Sequence, residues 1–152
     1  MAEVQTTYAS DIPVAFPGMV ANGETSNRIS RTVEDAAGIP FGRAAFRGVG
    51  DHGCTATPAA GAFLGITIAD VGVPVLPGGP SNPDSYPQYQ SAGLLSRGEI
   101  WVTAGANTTD GAPVYVTPAG AFTPTSSGNT AIPAEFDDTV LSGAMVRLRV
   151  TK

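Results

Sequence analysis

The sequence holds one cysteine and one histidine, the side chains best suited to nucleophilic catalysis, and only one residue separates them. Cys54 could act as a nucleophile with His52 as its base, and Asp51 could orient that histidine. Adjacent side chains of an extended backbone point to opposite faces, so closeness in sequence does not bring these groups into contact. We therefore expect His52 to be an exposed loop residue and Cys54 to be a small buried or half-buried thiol.

The same stretch contains a glycine pattern that binds dinucleotides in other proteins. Residues 48–53 read G-V-G-D-H-G, and Asp70 follows at roughly the 20-residue distance of the G-x-G-x-x-G fingerprint. That fingerprint works because a helix begins after the glycines and directs its amides at the pyrophosphate. Pro58 and Gly61 break such a helix here. We interpret the pattern as a chance match in a glycine-rich chain.

Metal binding and carboxylate catalysis find little support in the residue types present. A zinc site needs three or four Cys, His or acidic ligands, and one His with one Cys is a poor supply. The acidic pairs Glu34-Asp35 and Asp137-Asp138 could serve a glycosidase, but we interpret them as surface turn and cap residues. We predict no catalytic residue, no cofactor and no metal, so the protein is expected not to be an enzyme. A hydrolase with an unrecognised carboxylate pair is the enzymatic alternative.

The charge balance also limits the classes of partner. Eight Lys and Arg against thirteen Asp and Glu give a formal net charge of −5 over 152 residues. Such a chain lacks the basic surface that neutralises phosphates, so neither nucleic acid nor an anionic membrane is an expected partner. The first residues show no signal-peptide pattern and the single cysteine suits a reducing compartment, so we expect synthesis in a cytoplasm.

Composition and hydrophobic periodicity together predict an all-β protein. The chain has 19 Gly and 13 Pro, yet 42% of its residues are hydrophobic, which is typical of short strands joined by turns. Residues 63–69 form the clearest apolar strand, and residues 145–151 alternate strictly between apolar and polar. We predict a single β-sandwich or jelly-roll domain over residues 27–152, with a Pro/Gly-rich loop near residues 71–88.

Residues 1–26 differ from the rest, and we predict an extended N-terminal arm there. Its apolar residues are interrupted by Pro13 and Pro17, which prevent a continuous helix. Such an arm can pack on its own domain or reach a neighbouring molecule. Two tyrosines at the end of the Pro-rich loop are further candidates for a contact surface. The predicted interaction residues are Tyr8, Ile12, Phe16, Met19, Tyr86 and Tyr89.

Several segments, taken in order, resemble one known family. They cover most of the chain from about residue 5 to residue 150, and they are structural stretches, not catalytic motifs. The segments are residues 26–42 (S-N-R-I-S-R-T-V-E-D-A-A-G-I-P-F-G), 63–67 (F-L-G-I-T), 89–92 (Y-Q-S-A), 98–102 (G-E-I-W-V) and 111–116 (G-A-P-V-Y-V). Their order and spacing resemble the head cement, or capsid decoration, proteins of tailed phages.

The resemblance implies a structural protein on the outer surface of a phage capsid. Its expected partners are the major capsid protein, whose neighbouring copies it would bridge to stabilise the head, and itself. Self-association is expected as a homodimer, with a trimer as the alternative. The other classes left open are a carbohydrate-binding β-sandwich module and another virion structural or adhesin-like protein.

Overall fold

In the computed structural model, which describes residues 13–73 and 84–152, every regular element is a β-strand. No helix in these two ranges is long and apolar enough to cross a membrane. The strands are β1 (Val20–Val33), β2 (Ile39–Pro40), β3 (Ala44–Arg47), β4 (Gly53–Thr55), β5 (Phe63–Thr67), β6 (Ser85–Tyr86), β7 (Ser91–Thr103), β8 (Pro113–Val116), β9 (Phe122–Thr123), β10 (Thr130–Phe136) and β11 (Met145–Thr151). The all-β prediction is confirmed.

Side-chain alternation accounts for the strands that the sequence marked most clearly. In β11, Val146, Leu148 and Val150 are buried, whereas Arg149 and Thr151 are exposed, because successive side chains point to opposite faces. β5 is instead buried at every position. A strand with apolar groups on both faces must have protein on both sides, so β5 lies between two packed layers.

The strands form two closed rings of hydrogen-bonded neighbours, called circuits below, and both rings contain β7. Nine strands form one sheet in the order β1-β4-β3-β5-β7-β11-β10-β8-β9, and β1 also pairs with β7, which closes the circuit β1-β4-β3-β5-β7. A bridge from Ala104, just after β7, to Phe122 in β9 closes the second circuit through β11, β10 and β8. β2 and β6 form a separate two-stranded sheet. The predicted sandwich or jelly-roll form stays a prediction.

Each circuit has its own apolar core. One core takes side chains from every strand of the first circuit, namely Val33, Ala45, Cys54, Leu64, Ala92 and Leu94, together with Ile39 and Tyr86 from the small sheet. The other core fills the second circuit and continues onto the other face of β3 and β5, where Phe46 and Phe63 meet edge to face. β3 and β5 therefore lie between the two cores.

The N-terminal boundary of the sheet differs from the boundary drawn on the sequence. β1 begins at Val20, so residues 20–26 of the predicted arm belong to a strand. Just before it, the Gly18 amide donates to the Trp101 carbonyl at 2.8 Å, and the Trp101 amide donates to the Met19 carbonyl at 2.8 Å. Pro17 interrupts a helix, as the sequence indicated, but it does not prevent the backbone from pairing from the next residue, Gly18, onwards.

Candidate functional site

The six predicted interaction residues occupy different environments. Tyr8 and Ile12 lie outside the described residues. Phe16 is 52% exposed and Tyr89 is 77% exposed, so both present aromatic surface to solvent. Met19 is partly buried, and its backbone is paired with Trp101. Tyr86 is only 2% exposed and lies in the first core.

Phe16 lies in the wall of a large open cavity of about 680 Å³, here called the Phe16 cleft. Its lining consists of Phe16, Pro17, Pro40, Phe41, Arg43, Ala69, Asp70, Val71, Val73, Asp84, Thr103, Ala104, Gly105 and Ala121. The size falls within the range of ligand-binding pockets, and most of these side chains are apolar. Val71 at the cleft is fully exposed, and Val14, two residues before Phe16, is 81% exposed. Phe16 and Val71, which share the lining of one cavity, therefore make the cleft a candidate contact surface.

Sequence reasoning did not single out Val71. Its exposure follows from a tight turn, in which the Asp70 carboxylate accepts from the Gly72 amide at 2.8 Å and the Val73 amide donates to the Asp70 carbonyl. This turn directs the valine side chain away from the core. The signal in the sequence is the triplet Asp70-Val71-Gly72, an apolar residue between two turn formers.

Gly18 holds Phe16 in place at the cleft. The Met19 amide donates to the Phe16 carbonyl at 3.1 Å, and the Gly18 carbonyl accepts from the Ala69 amide at 2.8 Å. Gly18 has a φ of +85°, and a Cβ atom there would lie 2.7 Å from the Ala69 nitrogen. Only glycine satisfies both the left-handed backbone and this close approach.

The charges around the cleft are mostly acidic. Asp70 and Asp84 contribute two carboxylates, and Arg43 contributes one guanidinium. That guanidinium donates to the Gly120 carbonyl at 2.6 Å, so it is already engaged within the chain. Two carboxylates against one guanidinium give the cleft the same sign of charge as the whole chain, whose formal net charge is −5.

Tyr86 has a structural position, which corrects its assignment to a contact surface. Its hydroxyl donates to the Ile68 carbonyl at 2.6 Å, and its ring meets Phe41 edge to face with centroids 5.1 Å apart. Burial raises the pKa of this phenol. Because Phe41 also lines the cleft, Tyr86 supports the cleft wall from inside and is not available to a partner.

Tyr89 occupies a conformation that tyrosine rarely adopts. Its φ is +66°, and among the described residues it is the one non-glycine residue with a positive φ. A side chain in this region costs about 1–2 kcal/mol because its Cβ approaches the following carbonyl. The turn is firmly held, since the Tyr89 amide donates to the Val33 carbonyl at 2.8 Å and the Gln90 amide donates to the Pro87 carbonyl at 3.2 Å.

The glycine pattern at residues 48–53 binds a carboxylate of the chain itself. The Glu34 carboxylate accepts from the Val49 amide and from the Gly50 amide, both at 2.8 Å, and these bonds lower its pKa. A Cβ atom on Gly53 would collide with a Glu34 oxygen. The glycines therefore leave room for Glu34, and β4 follows them where a nucleotide site needs a helix, so the geometry agrees with a chance match.

Two further acidic side chains, Asp35 and Asp138, also hold the chain together. The Asp35 carboxylate accepts from the Thr55 hydroxyl and from the Ala56 amide, both at 2.6 Å. Asp138 takes two hydrogen bonds from the Arg147 guanidinium, at 2.7 and 3.0 Å, and these lower the pKa of its carboxyl. Each of these carboxylates has a partner within the chain, so both acids have a structural role.

His52 and Cys54 are separated by burial. His52 is exposed, whereas Cys54 is fully buried within the first core. Burial, together with the nearby carboxylates of Asp35 and Glu34, raises the pKa of the Cys54 thiol to about 11. Within residues 13–73 and 84–152 no three His, Cys, Asp or Glu side chains come together as metal ligands.

We expect Cys54 to resist thiol reagents in the folded protein. The nucleophile is the thiolate, and a pKa near 11 leaves almost none of it at about pH 8. Titration with a chromogenic disulfide should find no reactive thiol in buffer and one per chain in denaturant. Rapid reaction of the native chain would contradict the burial of this side chain.

The comparison with known protein families identifies the family of this chain. A family model described as structural cement protein (E217 gp24/Pam3 gp6) matches residues 4–151, which is nearly the whole chain. The chain belongs to the phage structural cement protein family. The resemblance found in the sequence is confirmed. This family member is a structural protein located in the virion capsid, with which it associates.

The fold is shared with a chain of a solved phage capsid. A chain in "The capsid of Myoviridae Phage XM1" superposes with a TM-score of 0.71 at 21% identity, covering 100% of this chain and 99% of that one. A weaker likeness, to a chain in "The crystal structure of head fiber gp8.5 N base in bacteriophage phi29", has a TM-score of 0.47 at 11% identity, covers 84% of this chain and 95% of that one, and adds nothing to this conclusion. No curated protein matches the cement protein.

Proposed function

We propose that this cement protein binds the outer surface of a phage head and bridges neighbouring copies of the major capsid protein. The observation that carries this proposal is the family match over residues 4–151. The structural character of the family also supports the absence of catalytic activity. Bridging adds interface area across the joints between subunits, which is how a small domain would strengthen a shell.

The Phe16 cleft is the contact that we propose for the head. It combines exposed apolar side chains, Phe16 and Val71, with the carboxylates of Asp70 and Asp84. We propose that an extended segment of the major capsid protein, with an apolar side chain and a neighbouring Lys or Arg, occupies it. The apolar part would replace solvent in the cleft, and the basic group would face the two carboxylates.

The N-terminal arm and self-association belong to the same proposal. The arm residues Tyr8 and Ile12 precede Phe16 in the chain, so an arm that leaves the cleft would extend the contact onto the same shell. We also propose a homodimer, with a trimer as the alternative. Light scattering on the purified protein distinguishes these states from a monomer.

Substitution of Val71 by lysine tests the cleft. The change removes apolar contact and places a cation where a basic partner segment would lie, so head binding should weaken by about tenfold or more. Because Val71 is fully exposed, the melting temperature should stay close to that of the wild type. The measurement is co-sedimentation with heads of the source phage that were assembled without this protein.

Val49→Lys is the matched control, since Val49 is equally exposed but lies in the loop that holds Glu34. It should bind heads like the wild type. If Val71→Lys bound heads as tightly as Val49→Lys and the wild type, a docking role for the cleft would be contradicted. Failure of the wild-type protein to bind heads would contradict the cement function itself.

A further inference from the structure

The backbone conformation of Tyr89 is energetically unfavourable, and its side chain adds little to the stability of the fold. Tyr89 is 77% exposed, so its side chain contributes little apolar burial, while the positive φ of +66° disfavours any residue with a Cβ atom. Glycine or asparagine would suit this backbone better. Stability of the chain therefore does not explain a tyrosine at this position.

The turn that carries Tyr89 is held by several hydrogen bonds. The Tyr89 amide is bonded to Val33, the Val33 amide donates to the Gln90 carbonyl at 2.9 Å, and the Gln88 amide group donates to the Glu34 carbonyl at 3.0 Å. Glu34 is itself fixed by the glycine loop. The backbone that carries the ring is thus held at a defined place, so binding would not need to order this turn, which reduces the entropy cost.

We propose that Tyr89 is a second anchor of this protein on the phage head, separate from the Phe16 cleft. The inference rests on the proposed cement function, because bridging needs two contacts on different subunits. Tyr89 is not part of the cleft lining. The surface that we propose Tyr89 contacts is a shallow apolar depression on a protein of the head. An exposed tyrosine suits such a surface because its side chain is large, stiff and amphipathic. A sugar is less suited, because the amide nitrogen of the neighbouring Gln88 already donates one hydrogen bond to the Glu34 carbonyl, which leaves this side chain fewer groups for binding hydroxyls.

Strain and binding can be separated by substitution in the full-length protein. Tyr89→Gly and Tyr89→Asn both fit a positive φ, so each should melt at the same temperature as the wild type or higher. The affinity of both variants for undecorated heads should be lower than that of the wild type by a factor of about ten or more. Tyr89→Phe keeps the ring and should bind within about threefold of the wild type, because the hydrophobic body of the ring makes the contact. Leu141→Ala, at an equally exposed apolar side chain, is the matched control and should bind normally.

The following results would contradict the proposal. A clear fall in melting temperature for both the glycine and the asparagine variants would show that the ring stabilises the fold. Unchanged head binding by these variants would overturn the second anchor while leaving the cement function intact. Unchanged head binding together with loss of a glycan-array signal would assign the ring to sugar. Absence of head binding by the wild-type protein would overturn the proposed function and, with it, this inference.

Discussion

Replacement of Gly18 by alanine should destabilise the protein by about 3 kcal/mol or more, the sum of a left-handed backbone with a Cβ atom and of overpacking. The new Cβ would lie 2.7 Å from the Ala69 nitrogen and 3.0 Å from both the Gly42 nitrogen and the Thr67 carbonyl oxygen. All three are backbone atoms, which cannot move aside as a flexible side chain can. The measurement is urea unfolding followed by the fluorescence of Trp101.

Gly61→Ala separates the two contributions to this effect. Gly61 also has a positive φ, of +72°, but no atom lies within 4 Å of the position that a Cβ would take there. It should therefore lose only the backbone part, about 1–2 kcal/mol. Equal losses for both variants would contradict the close approach of residue 18 to the sheet. In the Gly18 variant, head binding should also weaken, because Phe16 is held through this residue.

Head binding should be stronger than binding to free capsid protein by a factor of about 10²–10⁴. A single contact through a small domain offers about 800 Å² per partner in a standard interface, and its affinity is modest. On an assembled shell the second contact becomes effectively intramolecular, because the lattice holds the neighbouring subunit at a fixed distance. Parallel co-sedimentation with expanded heads, unexpanded proheads and soluble capsid protein measures the ratio.

Expanded heads should bind most tightly if the bridged spacing exists only in the mature lattice. Equal affinity for all three preparations would contradict bridging, although it would leave attachment to the capsid protein intact. The Val71→Lys and Tyr89→Gly variants add an internal check. Each should lower the ratio towards one, since either change removes one of the two proposed contacts.

The exposure of the two tyrosines that follow the Pro-rich loop could be predicted only in part. Tyr86 and Tyr89 stand in the same Pro-, Ser- and Gln-rich context, and local composition assigns both to the surface. The pairing of Ile39 with Tyr86 draws one of them into the first core, whereas a turn directs the other outwards. No local pattern distinguishes them, because the deciding partner lies far away in the chain.

The cleft itself could not have been derived from the sequence. Its walls come from separate segments around Phe16, Phe41, Asp70, Asp84 and Gly105. Phe16 was a predicted interaction residue, but the other four segments, taken alone, are turns or strand ends with no indication of binding. They meet because Gly18 pairs with both Trp101 and Ala69, which brings the N-terminal segment against β5 and β7.

Local patterns in the chain were enough to assign its fold class, whereas the resemblance to its family rested on the order and spacing of several segments along the chain. Alternation along β11, the many Gly and Pro residues, and the helix breakers after the glycine pattern are local properties, and local sterics and burial suffice to interpret them. Three other features appeared only in the folded molecule: β7 is shared by two closed circuits, Glu34 fills the glycine loop, and Phe16 borders a cleft. They depend on pairings between distant segments, whose register is selected by the packing of the whole molecule and not by any one stretch of chain.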